Sequence, residues 1–150
     1  MLIKSKVYNS CINLITDKIT ASNKAFKEIT EEAKTDSKSS AGDKHETSRA
    51  LMQIEQEKIS RQLQNMLDQK KQLEKIKIDQ QSDKIIPGSL ILINLGYFFL
   101  SVGMGKIAVD DTRVFVLSSS SPLGAKLIGL KKGDSTDING TKYIIMEIID

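Results

Sequence analysis

The segment Ser39-Ser40-Ala41-Gly42-Asp43-Lys44-His45-Glu46-Thr47 holds the residues best placed to do chemistry. Asp43 and Glu46 are three positions apart. On the first turn of a helix, that spacing puts both carboxylates on neighbouring positions of one face. Two exposed carboxylates side by side suit a hard divalent cation such as Mg²⁺, which takes oxygen ligands and keeps several waters. The same pattern also reads as a capping box, with Asp at the N-cap and Glu three residues on satisfying free backbone N–H groups. The residues alone leave both readings open. His45 lies between the two acids but has no cluster of partners from which a zinc site could be built. Cys11 is the sole cysteine. It has no neighbouring base in sequence, so it reads as a small apolar residue on a helix face and not as a nucleophile. No phosphate-binding Gly loop or hydrolase triad is present.

The acidic pair needs a scaffold, and the flanking sequence supplies one. From Ser5 to about Ala33, apolar residues recur at steps of four and three through Ile12, Ile15, Ile19, Phe26, Ile29 and Ala33, with Ser22 as one polar position. That is a heptad seam. From about Asp43 to Ile78, Met52, Ile59, Met66 and Leu73 repeat every seven residues, and Leu51, Ile54, Leu63, Leu67 and Ile76 widen the stripe. Each segment predicts a helix of roughly 30 to 35 residues, about 45 to 50 Å long at ~1.5 Å per residue. Between them, Thr35 to Gly42 is small and polar, which signals a turn. The two helices are therefore expected to pair as an antiparallel coiled-coil hairpin over 1–80, with its tip at about 35–47.

Beyond the polar stretch 79–84 and Pro87-Gly88, the periodicity shortens. Ser89 to Ile93, Tyr97 to Val102, Lys106 to Val109 and Arg113 to Leu117 are short, rich in β-branched or aromatic residues, and separated by Gly or Asp. Ser121-Pro122 pairs an N-cap residue with a Pro suited to the first helical turn, so Leu123 to Ile128 is expected to form a short helix stopped by Gly129. Asn139-Gly140 predicts a tight hairpin turn before a final strand, Thr141 to Ile149. The class is thus α+β: a helical hairpin, then a small β domain over 84–150 with one short helix.

Bulk properties narrow the partners. Twenty-two Lys and Arg against nineteen Asp and Glu leave a formal charge of +3, too little for a protein that coats nucleic acid. No run approaches the roughly 20 apolar residues of a membrane span, and the first residues lack the apolar core of a secretion signal. The cytoplasm is the expected compartment, in keeping with a single cysteine.

Taken in order, a helical hairpin, Gly42-Asp43-Lys44-His45-Glu46 at its tip and a small β domain resemble the GreA/GreB transcript cleavage factors. The β half strengthens the resemblance. Gly88-Ser89-Leu90-Ile91 is similar to the family's opening strand, and Ser121-Pro122-Leu123-Gly124-Ala125-Lys126-Leu127-Ile128-Gly129 with Lys132-Gly133-Asp134 to its most specific signature. The resemblance implies an FKBP-like β domain that binds RNA polymerase, with Ser121, Pro122, Leu123, Gly124, Lys132, Gly133 and Asp134 in the docking region. It also implies that the hairpin enters the polymerase's secondary channel. There, Asp43 and Glu46 would be the catalytic assistants, helping to hold a Mg²⁺ shared with the polymerase so that backtracked RNA is cleaved. The expected state is a monomer that meets DNA and RNA only through the polymerase.

The family pattern usually continues Asn-Ala-Glu-Tyr after the tip. This chain has Thr47-Ser48-Arg49-Ala50. That departure keeps a second function in view, a regulator that occupies the channel without promoting cleavage. A third, prolyl isomerase or chaperone activity, needs an aromatic-lined pocket. Strand spacing assigns several of Tyr97, Phe98, Phe99, Phe115 and Tyr143 to the core instead.

Overall fold

The computed structural model describes residues 2–36 and 42–150, and the side chains of all of these except 36 and 42–45. The expected turn therefore falls largely on 37–41, outside the described residues. Two helices of 33 residues come first, α1 (Lys4–Asp36) and α2 (Gly42–Glu74). Strands β1 (Leu90–Ile93), β2 (Gly96–Ser101), β3 (Gly105–Val109) and β4 (Thr112–Ser118) follow, then helix α3 (Pro122–Leu127) and strands β5 (Ser135–Ile138) and β6 (Thr141–Ile149). The fold is α+β, a helical hairpin followed by a small β domain with one short helix, as the periodicities predict.

The chain divides into two compact units, residues 1–13 with 71–150, and residues 14–70. Residues 80–84 lie between the end of α2 at Glu74 and the start of β1 at Leu90, and the compact units divide within the helices. The cause is visible in the first and last turns. Val7, Cys11 and Leu73 are sealed from solvent, the Tyr8 hydroxyl donates to the Leu73 carbonyl at 3.1 Å, and Lys6 pairs with Asp110 of the β3–β4 turn.

In the unit of residues 14–70, the helices run antiparallel. Lys18 and Ser22 line one shallow groove with Gln62 and Met66, Phe26 lines another with Gln56 and Ser60, and Glu28 and Glu32 line a third with Met52. As numbers rise along α1 they fall along α2. The predicted seam of α1 is where burial falls: Ile15 is buried, and Ile19, Ser22, Phe26, Ile29 and Ala33 are half-buried. On α2 the inner positions are Met52, Gln56, Ile59, Leu63 and Met66. Leu51, Ile54 and Leu67, expected to widen the stripe, are instead exposed at 63%, 60% and 37%. They lie out of phase with the 52, 56, 59, 63, 66 sequence, and Gln56 holds the inner place. Its side-chain amide donates to Thr30 Oγ1 at 3.1 Å, while that hydroxyl donates to the Phe26 carbonyl at 2.9 Å. A polar layer thus crosses the seam.

In the other unit, the six strands form one sheet in the order β3-β4-β2-β1-β6-β5. Neighbours are antiparallel except β2 and β4, which pair in parallel with Phe98 beside Phe115 and Leu100 beside Leu117. One sheet face carries Ile91, Ile93, Leu100, Leu117 and Ile145, packed with Ile85 and with Leu127 of α3. Left-handed turns join the outer hairpins: Asp110 and Asp111 at φ 48° and 63°, and Asn139 and Gly140 at 50° and 82°. Asn, Asp and Gly tolerate that conformation best, and it matches the twist of tight hairpins.

Candidate functional site

Helix α2 already begins at Gly42, so Asp43 is its second residue and has a helical backbone. An N-cap residue stands just outside the helix with non-helical angles. Residues 43 and 46 therefore lie three apart within one helical turn, on one face. Glu46 is exposed. The side chains of Asp43 and His45 lie outside the described residues, as does the loop 37–41. Among the described residues no group of three or more His, Cys, Asp or Glu is gathered closely enough to hold a metal. Two carboxylates on one turn would supply only part of a Mg²⁺ shell, which asks for six oxygens. Such a donor set fits a cation whose remaining ligands come from water or from another protein.

The Ser121–Asp134 segment is described throughout, and most of its residues shape the backbone. Ser121 caps α3: its Oγ accepts from Gly124 N at 3.1 Å and donates to the Ser118 carbonyl at 2.6 Å. Pro122 occupies the first turn, where its missing N–H costs nothing. Gly124 sits so close to the preceding chain that a Cβ there would lie 2.0 Å from the Ser118 carbonyl oxygen. Only glycine fits. Leu123 packs on the core beside the buried Leu127. Further on, Asp134 Oδ2 accepts from Lys131 N at 2.8 Å, and Gly133, at φ 93°, donates to the Ile145 carbonyl at 2.8 Å. These contacts tie the turn to β6. Pro122, Lys132, Gly133 and Asp134 are exposed, and Lys132 Nζ meets Glu147 Oε2 at 2.8 Å across the surface. Of the seven expected docking residues, Ser121, Leu123 and Gly124 are partly or fully buried while shaping α3, and Pro122, Lys132, Gly133 and Asp134 face solvent.

Cys11 is fully buried, and burial pushes its thiol up to about 12. At neutral pH it is a protonated, inert thiol, as its sequence context suggests. Tyr8 is also raised, by burial first and by the neighbouring Glu74 carboxylate second.

One site is not evident from the sequence. Phe98 and Phe99 are both core, 8% and 0% exposed, with Phe115 and Tyr143 packed against the Phe98 cluster, and Tyr97, Phe98, Phe115 and Tyr143 also line a cleft of about 520 Å³. Phe98 forms its centre: its ring lies 5.4 Å from that of Phe115, tilted by 51°, and 6.3 Å from that of Tyr143, edge to face. Lys106 and Arg113 are the charged residues of the lining. The expectation that several of these rings are core holds for Phe98 and Phe99, while Phe115 and Tyr143 are half-buried. The signal hidden from sequence is the parallel β2–β4 pairing, which brings Phe98 to Phe115 across the intervening β3 hairpin.

No family model and no curated protein matches the chain. Among solved structures, the chain is similar to that of the transcription factor Gfh1, at 16% identity over 91% of this chain and 92% of that one, with a TM-score of 0.36. No helix among the described residues is long and apolar enough to cross a membrane.

Proposed function

We propose that this protein is a regulator of bacterial RNA polymerase of the transcript cleavage type. Its β domain docks on the enzyme, and its hairpin carries Asp43 and Glu46 into the secondary channel. The observation that carries this reading is that positions 43 and 46 fall on the helical backbone at the start of α2, three residues apart. The Ser-Pro-Leu-Gly and Lys-Gly-Asp motifs that support it are built into the β domain in the forms described above. A helix of 33 residues reaches about 50 Å, enough to bring side chains at its end into a deep channel.

The chain's own part in the chemistry is to present two anionic groups from a rigid helical turn. A Mg²⁺ held between these carboxylates and the polymerase's own would make water a better nucleophile and balance charge on the attacking and leaving oxygens. Asp43 and Glu46 would hold that cation, and the hairpin would set where along the RNA its chemistry is supplied. DNA and RNA are met through the polymerase.

A second reading draws on Arg49, which stands where the resembling family has an acid, and on Ala50 in place of an aromatic. In that reading the hairpin fills the channel without promoting cleavage.

RNA shortening in backtracked elongation complexes separates the two, with wild type compared with the Asp43→Asn, Glu46→Gln double variant and polymerase binding measured for both. Mg²⁺-dependent shortening that the variant loses while still binding supports the cleavage role. If wild type binds and the RNA stays intact, the channel-occupying regulator is the correct reading. Absence of binding by either protein refutes both.

A further inference from the structure

We infer that the cleft over Phe98, Phe115 and Tyr143 is a docking site for an acidic protein segment that carries a bulky apolar anchor. This deepens the docking half of the proposed function and rests on it. Strand register puts the elements on one face. Phe98 lies beside Phe115, Lys106 is paired with Phe115, and Arg113 is paired with Ala108, two residues along from Lys106. The same face is capped by α3 at Leu127, yet it is left open over the rings, where Phe115 and Tyr143 are only half-buried. The half-buried Phe115 and Tyr143 rings leave apolar surface open above the buried Phe98, and about 520 Å³ is within the roughly 300–1,000 Å³ of ligand-holding clefts.

Charge identifies the occupant. The two charged lining residues are both cations and both exposed, and no carboxylate lines the cleft. Among the described residues, neither Lys106 nor Arg113 has an ion-pair partner. Two unpaired cations flanking aromatic rings match a segment whose carboxylates border an apolar side chain. Such charges set partner choice and association rate more than they add affinity. The exposed rim at Leu95, Lys106 and Arg113 leaves the cleft open on one side, which suits a passing chain better than an enclosed small molecule. In addition, β3 ends the sheet, so its outer backbone edge runs beside Lys106.

The test titrates labelled full-length protein with core RNA polymerase, following fluorescence anisotropy at low and high salt. Four proteins are compared: wild type, the Lys106→Glu, Arg113→Glu variant, a Lys106→Gln, Arg113→Gln variant, and a Lys77→Glu, Lys142→Glu control that changes net charge as much as the first variant at exposed sites outside the cleft. The cleft variant is expected to bind roughly ten-fold more weakly, with the control within about two-fold of wild type and a shallower salt dependence in the cleft variant alone. The Lys106→Gln, Arg113→Gln variant, which only neutralises, should fall between. Tyrosine fluorescence and far-ultraviolet dichroism check that each variant is folded. Equal binding by the cleft variant and the control overturns the cleft assignment while leaving polymerase docking intact. If wild type does not bind the polymerase, both the docking reading and the cleft assignment fall.

Discussion

Ile91, Phe99, Leu100 and Ile145 of the β unit are at most 1% exposed, whereas between residues 14 and 70 the described apolar side chains buried this well reduce to Ile15 at 2% and, less completely, Ile59 at 7%. The contrast follows from geometry. A sheet has two faces and here buries both: one under α3, the other carrying Phe99, Val114 and Val116, in a unit that also includes the buried ends of α1 and α2. Two helices alone share one stripe each, and the rest of each cylinder meets water. The β unit therefore holds most of the buried apolar surface among the described residues, and the unit of residues 14–70 holds little.

The sharpest way to break that comparison is to remove one large side chain from each unit. Phe99→Ala is expected to cost about 3–5 kcal/mol, the usual range for an aromatic removed from a packed core. Ile59→Ala should cost about 2 kcal/mol, at the low end for its type, because a half-wet seam can close or hydrate around the gap. Urea unfolding gives the answer with two probes. All three tyrosines, Tyr8, Tyr97 and Tyr143, belong to the β unit, so their fluorescence reports that unit, while ellipticity at the helical band weighs the two long helices. Equal losses from the two substitutions would mean that the hairpin is as tightly cored as the sheet.

A smaller effect of opposite sign is expected at the polar layer. Replacing Gln56 by Leu removes the bond to Thr30 but strands no buried donor, since the Thr30 hydroxyl still donates to the Phe26 carbonyl. An apolar seam position should then stabilise the hairpin by about 1 kcal/mol while weakening its choice of register, the role best attested for single polar residues in helical seams. Thermal melting followed at the helical band would show the gain, and a disulfide-trapping series across the seam would show whether shifted registers appear. A loss of stability instead would mean that the Gln56–Thr30 bond contributes net energy.

Gln56 also marks where the sequence stops being readable. The phase of α2 was legible because Met52, Ile59, Met66 and Leu73 keep strict sevens. The intermediate inner place was not, because a polar residue fills it while apolar Leu51 and Ile54 stand outside. Hydrophobicity was a poor guide there, and phase was the better one. The strands and the 139–140 turn were legible from short apolar runs and from residues that accept left-handed angles. Gly124 could be quoted as part of a motif, but its reason, a carbonyl oxygen 2.0 Å from where a Cβ would be, exists only in three dimensions. The cleft was hidden for a similar cause: strand order decides which rings meet, and no local pattern encodes it. Asp43 and Glu46 stood out at once because everything they need, a turn and a spacing of three, is local.

The smallest effect concerns a thiol that should do nothing. Helix α1 runs unbroken through the point where the chain passes from one unit to the other, between Asn13 and Leu14. Cys11 lies just on the β side, fully buried, with burial holding its thiol near 12 in place of the ordinary 9.0. Ser22, three turns on, is half-buried in the hairpin and differs from cysteine by one atom. At pH 8 and low denaturant, Cys11 is expected to react with a thiol reagent at least roughly a hundred-fold more slowly than Cys introduced by Ser22→Cys in a Cys11→Ala background, because the first needs the β unit to open and the second only a local fluctuation. Substituting Cys11 should leave neutral-pH stability little changed and flatten its alkaline fall. Above about pH 9 the unfolded chain gives up the thiol proton while the folded chain keeps it to about 12, so unfolding gains and stability drops as pH rises across that window. Comparable labelling rates at the two positions would show that the first turns of α1 open with the hairpin, and the contrast in burial would then not be a contrast in stability.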